Sequence, residues 1–269
     1  LGADLLAPGD GAPTAILFLS FHRSQPNRQK RMAKMELMIG KESQTLTAPD
    51  LLRRASAYSE FWIDLGTGDG RFVLETARGQ AWINEQSEPL EDRKMEKGSR
   101  LPAAKSTAMS LPDQPPGRFV LGVDACRENL HRAARRAPEN ALFVIANACR
   151  LPEELAGLAH QVTINFPWGS LRDGLLTGDS NLINGICRVA RPGAVLEVRL
   201  NESALAEAGW SLEEGGKQVN ACLLAAGVAM QAVQWMDAAA LRACPSTWAR
   251  KMAFGRKPAA VLLRGFFQP

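Results

Sequence analysis

An apolar run that breaks abruptly into glycines constrains this chain more than any other feature. Residues 61–65 read FWIDL and are followed by GTGDGR at 66–71. A short apolar stretch bounded by glycine reads as a buried strand. Glycines let the backbone turn tightly and approach a ligand without Cβ clashes. A helix over 71–78 follows. In open α/β sheets ligands lie beyond the carboxyl ends of the strands, so the turn after residue 65 marks a binding site.

The spacing narrows the ligand. A dinucleotide site uses G-x-G-x-x-G and aims a helix N-terminus at a pyrophosphate. Here the spacing is G-x-G-x-G, with Asp69 inside the turn. A carboxylate there repels a pyrophosphate and tolerates a cation. S-adenosyl-L-methionine carries a sulfonium and an ammonium, so charge favours it.

The rest of the chain alternates in the same manner. A hairpin is expected over 35–47 and a helix over 48–56. Strands are expected over 119–124, 141–146, 161–166, 194–200, 229–236 and 259–266. Helical segments fall at 128–136, 153–158, 181–189 and 217–226, and 191–193 (RPG) stops the third of these. Strands alternating with helices imply a mostly parallel sheet covered on both faces. The expected fold is α/β: a Rossmann-like, doubly wound class I methyltransferase core with an N-terminal β-hairpin, over 35–269. Residues 1–34 read as a disordered or non-native leader. Residues 83–117, rich in charge and proline, read as an inserted flexible loop.

Composition excludes several classes. Five scattered cysteines without a C-x-x-C pair suit a reducing compartment. Three dispersed histidines offer no metal site. The apolar run at 15–21 is too short to span a bilayer. A net charge of +4 is compatible with an RNA partner without requiring one. A cytoplasmic protein without metal or membrane attachment is expected, acting as a monomer.

Site residues follow from the strand ends. Asp64, Gly66, Thr67, Gly68 and Gly70 form the first loop. Asp124, ending the next strand, can accept hydrogen bonds from both ribose hydroxyls. Asn147, Ala148 and Cys149, after the third, edge the adenine of the cofactor. The fourth strand delivers Asn165, Phe166, Pro167, Trp168, Gly169 and Ser170. Proline fixes the turn and Trp168 offers a flat π surface for a base drawn from its stack. Such stacking is worth about 1–3 kcal/mol per base. Trp62 and Trp210 read as core residues instead. Trp248 lies among cations in STWARKMAFGRK (246–257), a plausible RNA-facing segment with Arg250, Lys251 and Arg256. His131, Arg132, Arg135 and Arg136 form a basic helix face that either meets phosphates or is merely solvated.

Four stretches, IDLGTGDGR (63–71), GVDACRENL (122–130), FPWGSL (166–171) and STWARKMAFGRK (246–257), carry a resemblance. The chain resembles the KamB/NpmA-type 16S rRNA (adenine(1408)-N1)-methyltransferases, the aminoglycoside-resistance family. The resemblance runs over about 35–265, outside 83–117. It implies methylation of N1 of adenine 1408 in the decoding site of the 30S subunit, weakening kanamycin- and apramycin-like drugs. It also implies that Trp168 and Trp248 sandwich the flipped adenine beside Phe166 and Pro167, and that Ser170 and Ser246 order the cofactor site. Lys251 and Arg256 would touch rRNA. The chain departs from the family pattern at Cys149, where glutamate is usual, at Pro258, where a basic residue is common, and at Asn165, where an apolar residue is usual.

Ring N1 carries an in-plane lone pair, so no essential general base is expected and catalysis is chiefly positioning. Two other readings compete. Asn165 through Trp168 is close to the N/D-P-P-aromatic signature of exocyclic-amine methyltransferases, and FPW is shared with tRNA guanine-N7 enzymes. A catalytically silent, cofactor-binding RNA-binding homologue is the other.

Overall fold

A computed structural model describes residues 35–39, 42–79, 117–254 and 259–268. The leader over 1–34, residues 83–116 of the insertion, Arg256 and Pro258 lie outside the described residues. The described residues belong to one compact unit, Ala33–Pro269.

Ten strands among the described residues form one sheet. Five are parallel and central: β3 (Glu60–Leu65), β4 (Arg118–Asp124), β5 (Ala141–Ile145), β6 (Ala159–Asn165) and β7 (Ala190–Asn201), in the order β5-β4-β3-β6-β7. The expected hairpin, β1 (Met35–Ile39) and β2 (Glu42–Leu46), adds antiparallel to β5 at one edge. At the other edge β10 (Ala260–Phe267) runs antiparallel to β7, with β8 (Val228–Met230) and β9 (Gln234–Met236) beside it.

The helices cover both faces because the strands alternate. In β4, Phe119, Leu121 and Val123 join the large core with Leu182 and Ile186 of α5 (Ser180–Val189) and Val219 and Leu223 of α7 (Leu212–Ala225). Val120 turns the other way, onto Val73 of α2 (Arg71–Ala77) and Leu130 of α3 (Arg127–Ala134). Side chains two apart share a face. Three helix starts have a clear side-chain cause. Thr47 caps α1 (Ala48–Ala55), Asp179 caps α5 and Ser211 caps α7, each accepting a backbone N–H of the first turn.

Four expectations need correction. Residues 169–177, given no helix, form α4 (Gly169–Thr177), which starts directly at Trp168. The strand expected over 229–236 is two strands, β8 and β9, each paired to a different part of β10. Arg191, Pro192 and Gly193 do not precede β7 but are carried inside it. The register jumps there from Ala159↔Ala190 to Gln161↔Val195, so the extra residues loop out, and Gly193 takes φ 78°. Residues 202–207, 238–243 and 247–253 fold as α6 (Glu202–Glu207), α8 (Ala238–Ala243) and α9 (Thr247–Ala253). Leu241, Cys244, Ala249 and Ala253 pack on Phe166, Met236 and Ala260. This third apolar cluster seats α8 and α9 over the carboxyl ends of β6 and β7.

Candidate active site

The carboxyl ends of β3, β4, β5 and β6 converge on one cavity of about 500 Å³. Every strand-end residue singled out above lines it except Gly70 and Gly169. Gly66, Gly68 and Gly70 all adopt left-handed φ, 70°, 57° and 69°, which glycine alone takes without strain. Their surroundings differ. A Cβ at Gly68 would meet nothing within 4 Å, so this residue leaves open space on the cavity side. A Cβ at Gly70 would lie 2.4 Å from the Ala133 Cβ and 2.7 Å from the Phe143 ring. Gly70 therefore lets α2 pack on α3 and β5; it serves the fold, not the cavity wall.

Asp64 is 1 % exposed. Its Oδ1 accepts from the Thr163 hydroxyl at 2.6 Å and from Asn165 Nδ2 at 2.8 Å. Its Oδ2 has no hydrogen-bond partner among the described residues. The Thr67 hydroxyl, also without a partner there, lies near enough to favour the carboxylate. Burial dominates all the same and raises the Asp64 pKa to about 6 from an ordinary 3.8, against the lowering effects of Thr163, Thr67, Asn165 and Arg199. An unpaired oxygen on a buried carboxylate is costly unless a cation or donor meets it. The ammonium of S-adenosyl-L-methionine is a cation of the kind such a carboxylate would meet.

Asp124, two residues beyond the register partner of Asp64, is tied to the same loop. Its Oδ2 accepts from Gly68 N at 2.8 Å, and its Oδ1 from Cys126 N at 2.8 Å and Asn129 Nδ2 at 3.3 Å. These donors aim the carboxylate while leaving lone pairs for a diol. Asn147 uses its side-chain oxygen locally, accepting from Cys149 N at 2.8 Å to cap a one-turn 3-10 helix. Ala146 and Ala148 give the wall there an apolar character. The Cys149 thiol is pushed up by burial and then by the Asp179 charge, so it stays neutral.

Across the cavity stand the two tryptophans. Trp168 immediately precedes α4 and Trp248 sits in the first turn of α9. Their ring centroids are 5.5 Å apart with planes inclined at 31°. Trp248 is 41 % exposed, and Lys251 Nζ lies 5.0 Å from its ring centroid. Phe166, between strand and proline, has φ 54°, a left-handed conformation that costs a bulky residue about 1–2 kcal/mol. Its ring is buried in the α8–α9 cluster, which holds the conformation. The strain turns the chain sharply, so that Pro167 and Trp168 lie on the cavity. Ser170 lines the cavity too. Ser246 does so while capping α9, its Oγ accepting from Ala249 N at 3.1 Å.

Asn165 departs from the exocyclic-amine reading. Its Nδ2 is given to Asp64, and its Oδ1 accepts from Arg199 Nη1 at 3.0 Å. Both ends of the amide are engaged inside the protein, which ties its orientation to Asp64 and Arg199 rather than to a substrate amine. Of the expected RNA contacts, Arg132, Arg135, Arg136, Arg250 and Lys251 are exposed. Trp62 and Trp210 pack on the cores as expected. The sequence reading missed Thr163, Asn129, Thr247 and Arg199. The one available signal for Arg199 was the alternation of charged and apolar residues over 196–200, which ordinarily denotes a solvated face.

Among the described residues no cluster of three His, Cys, Asp or Glu side chains is placed to hold a metal, and no helix is long and apolar enough to cross a membrane.

Comparison with known proteins follows the same lines. The family model described as NpmA, 16S rRNA (adenine(1408)-N(1))-methyltransferase, matches residues 104–267. A protein of that name from Escherichia coli is 25% identical over 252 residues, covering 87% of this chain and 96% of its own. The crystal structure of the aminoglycoside resistance methyltransferase NpmB1 superposes with TM-score 0.62 at 27% identity, over 87% of this chain and 99% of that one. At 21% identity and TM-score 0.65, a 16S rRNA (adenine(1408)-N(1))-methyltransferase variant from Catenulisporales acidiphilia, solved with cosubstrate SAM, shares the fold over 87% of this chain and 97% of its own.

Proposed function

Because the chain belongs to the 16S rRNA (adenine(1408)-N(1))-methyltransferase family, we propose that it methylates N1 of adenine 1408 in the 30S subunit and thereby confers aminoglycoside resistance. It uses S-adenosyl-L-methionine and acts as a cytoplasmic monomer. One observation carries this reading: a buried carboxylate with an unpaired oxygen and a pair of indoles line the same cavity. The first suits a cationic amino acid, the second a flat base.

Bound S-adenosyl-L-methionine supplies an electrophilic methyl group on a sulfonium. The chain's own residues do the rest by placement. Asp64 takes the ammonium, with the loop from Gly66 to Gly68 closing around the amino-acid part. Asp124 takes the ribose hydroxyls, and Ala148 and Cys149 edge the adenine. Trp168 and Trp248 hold the target base, and Lys251, with Arg250, Arg132, Arg135 and Arg136, meets phosphates. Adenine N1 is unprotonated near neutral pH, so no residue needs to remove a proton from it. Positioning accounts for the rate, and the apolar aromatic walls favour a step that disperses positive charge.

The test is methyl transfer from radiolabelled S-adenosyl-L-methionine to purified 30S subunits, then primer extension across the decoding site. A stop at adenine 1408 is expected. A stop elsewhere would move the target to another base. No incorporation with intact cofactor binding would make the chain a silent homologue.

A further inference from the structure

The face of β7 opposite the main core carries Glu197, Arg199 and Asn201, all buried at 7 %, 3 % and 1 % exposure. Strand register explains where they point. Asp64 pairs with Thr163, and Thr163 with Glu197; one step on, Asn165 pairs with Arg199. Residues in register on neighbouring strands stand side by side on one face. The result is a polar row beneath the cavity. Arg199 Nη2 donates to Glu197 Oε2 at 2.6 Å, its Nη1 to Asn165 Oδ1 at 3.0 Å, and Asn165 Nδ2 to Asp64 Oδ1 at 2.8 Å. The carbonyl of the same Arg199 accepts the N–H of Phe166 at 2.8 Å. One residue thus reaches the cofactor carboxylate through its side chain and the target-base turn through its backbone.

Resting on the function proposed above, we propose that Arg199 is a positioning residue: through Asn165 it keeps Asp64 charged and oriented for the cofactor, and so sets the lowest pH at which the cofactor binds. A buried guanidinium paired to Glu197 has a fixed place, and a relay through one amide transmits it as geometry. The groups bearing on Asp64 are Thr163 and Asn165 of β6, Thr67 of the glycine loop, Arg199 of β7 and Cys244 ahead of α9. Of these, Arg199 alone carries a positive charge, since burial holds the Cys244 thiol protonated. Glu197, the partner of Arg199, is also approached by Arg264 Nε at 3.7 Å. The departure at Asn165 thereby acquires a use: an apolar residue there could not bond to both Arg199 and Asp64.

The experiment reads Asp64 in the cofactor-free protein by its ¹³C carboxyl shift against pH, alongside calorimetric binding of S-adenosylhomocysteine from pH 5.5 to 8.5. Asn165→Leu keeps both charges of the buried pair but removes the amide, and with it both the bond to Asp64 and the link to Arg199. The double change Glu197→Gln with Arg199→Met leaves the Asn165 amide in place and so tests Arg199 itself. The Asp64 midpoint is expected to rise by about one pH unit. Affinity at pH 6.5 should fall several-fold while recovering to near wild type at pH 8.5. Arg199→Lys should keep the midpoint near wild type, and the double change Glu197→Gln with Arg199→Met should raise it. An unmoved midpoint in the Glu197→Gln, Arg199→Met double change or in Asn165→Leu, or an affinity loss equal at every pH, overturns the proposal and leaves the row a packing feature. If the wild type binds no S-adenosylhomocysteine, the functional reading fails, and the carboxyl titration still decides the role of Arg199.

Discussion

The Thr247 hydroxyl donates to the Asp69 carboxylate at 2.6 Å across 178 residues of chain. Asp69 belongs to the glycine loop and Thr247 opens the helix that carries Trp248. On the proposed function, a contact of the loop that would hold the cofactor therefore fixes the start of the helix that would face the target base. The Asp69 Oδ1 accepts from Arg71 N at 3.2 Å, which keeps the carboxylate in place. Thr247→Val should lower kcat/KM on 30S subunits about 3–10-fold, the worth of one exposed charge-assisted bond. S-adenosylhomocysteine affinity should stay within about twofold. Steady-state methylation and calorimetry separate the two. Equal losses in both would mean that the bond shapes the loop and not the helix.

Trp168→Ala and Trp248→Ala should each reduce turnover about 10–100-fold, from a stacking contribution of about 1–3 kcal/mol per base. Cofactor affinity should be almost unchanged, since neither ring is bonded to Asp64 or Asp124. A variant methylating at the wild-type rate would refute the sandwich.

Asp64 sets a conflict between binding and stability. Its pKa is raised from 3.8 to about 6, so the folded state binds a proton more tightly than the unfolded chain. The stabilisation is full below pH 3.8 and is lost as pH rises through 6. Roughly two pH units at about 1.4 kcal/mol each give an order of 3 kcal/mol. Asp64→Asn should therefore raise the cofactor-free melting temperature above pH 7 and have little effect at pH 4, while cofactor binding disappears. Thermal melts at the two pH values check the sign.

Gly70→Ala should destabilise the fold by about 2–4 kcal/mol, through backbone strain and the overlap with Ala133 and Phe143. Gly68→Ala has open space and only the strain, about 1–2 kcal/mol, so its effect should fall on cofactor affinity. Chemical denaturation with binding titration distinguishes these. Loss of affinity in Gly70→Ala without loss of stability would return that glycine to the ligand.

Much of this was legible in the chain itself. Residues 61–71 announced strand, turn and site together, because a buried parallel strand is continuously apolar and only glycine tolerates the turn. The elements that escaped notice lack a local signal. Helix α4 begins with Gly169 and Ser170 and encloses Gly174, which accommodates Leu182 of α5 rather than favouring helix. Helices α8 and α9 are short and draw their stability from the cluster around Phe166. The polar row from Asp64 to Glu197 depends on register between strands far apart in sequence. No window along the chain contains it.

The inclined contact of Trp168 with Trp248 has a consequence for selectivity. Admitting a flat ring between them requires about 7 Å, two contact distances of about 3.5 Å, against the 5.5 Å observed. The indoles must part, and they give up their mutual contact to do so. An adenine that arrives as a free nucleotide brings nothing to offset that loss. One presented by a folded ribosomal subunit arrives with distant phosphate contacts already made. If the two indoles hold the target adenine as proposed, the closed pair would work as a threshold, screening the many adenines of a cell by how they are delivered before any is screened by its shape.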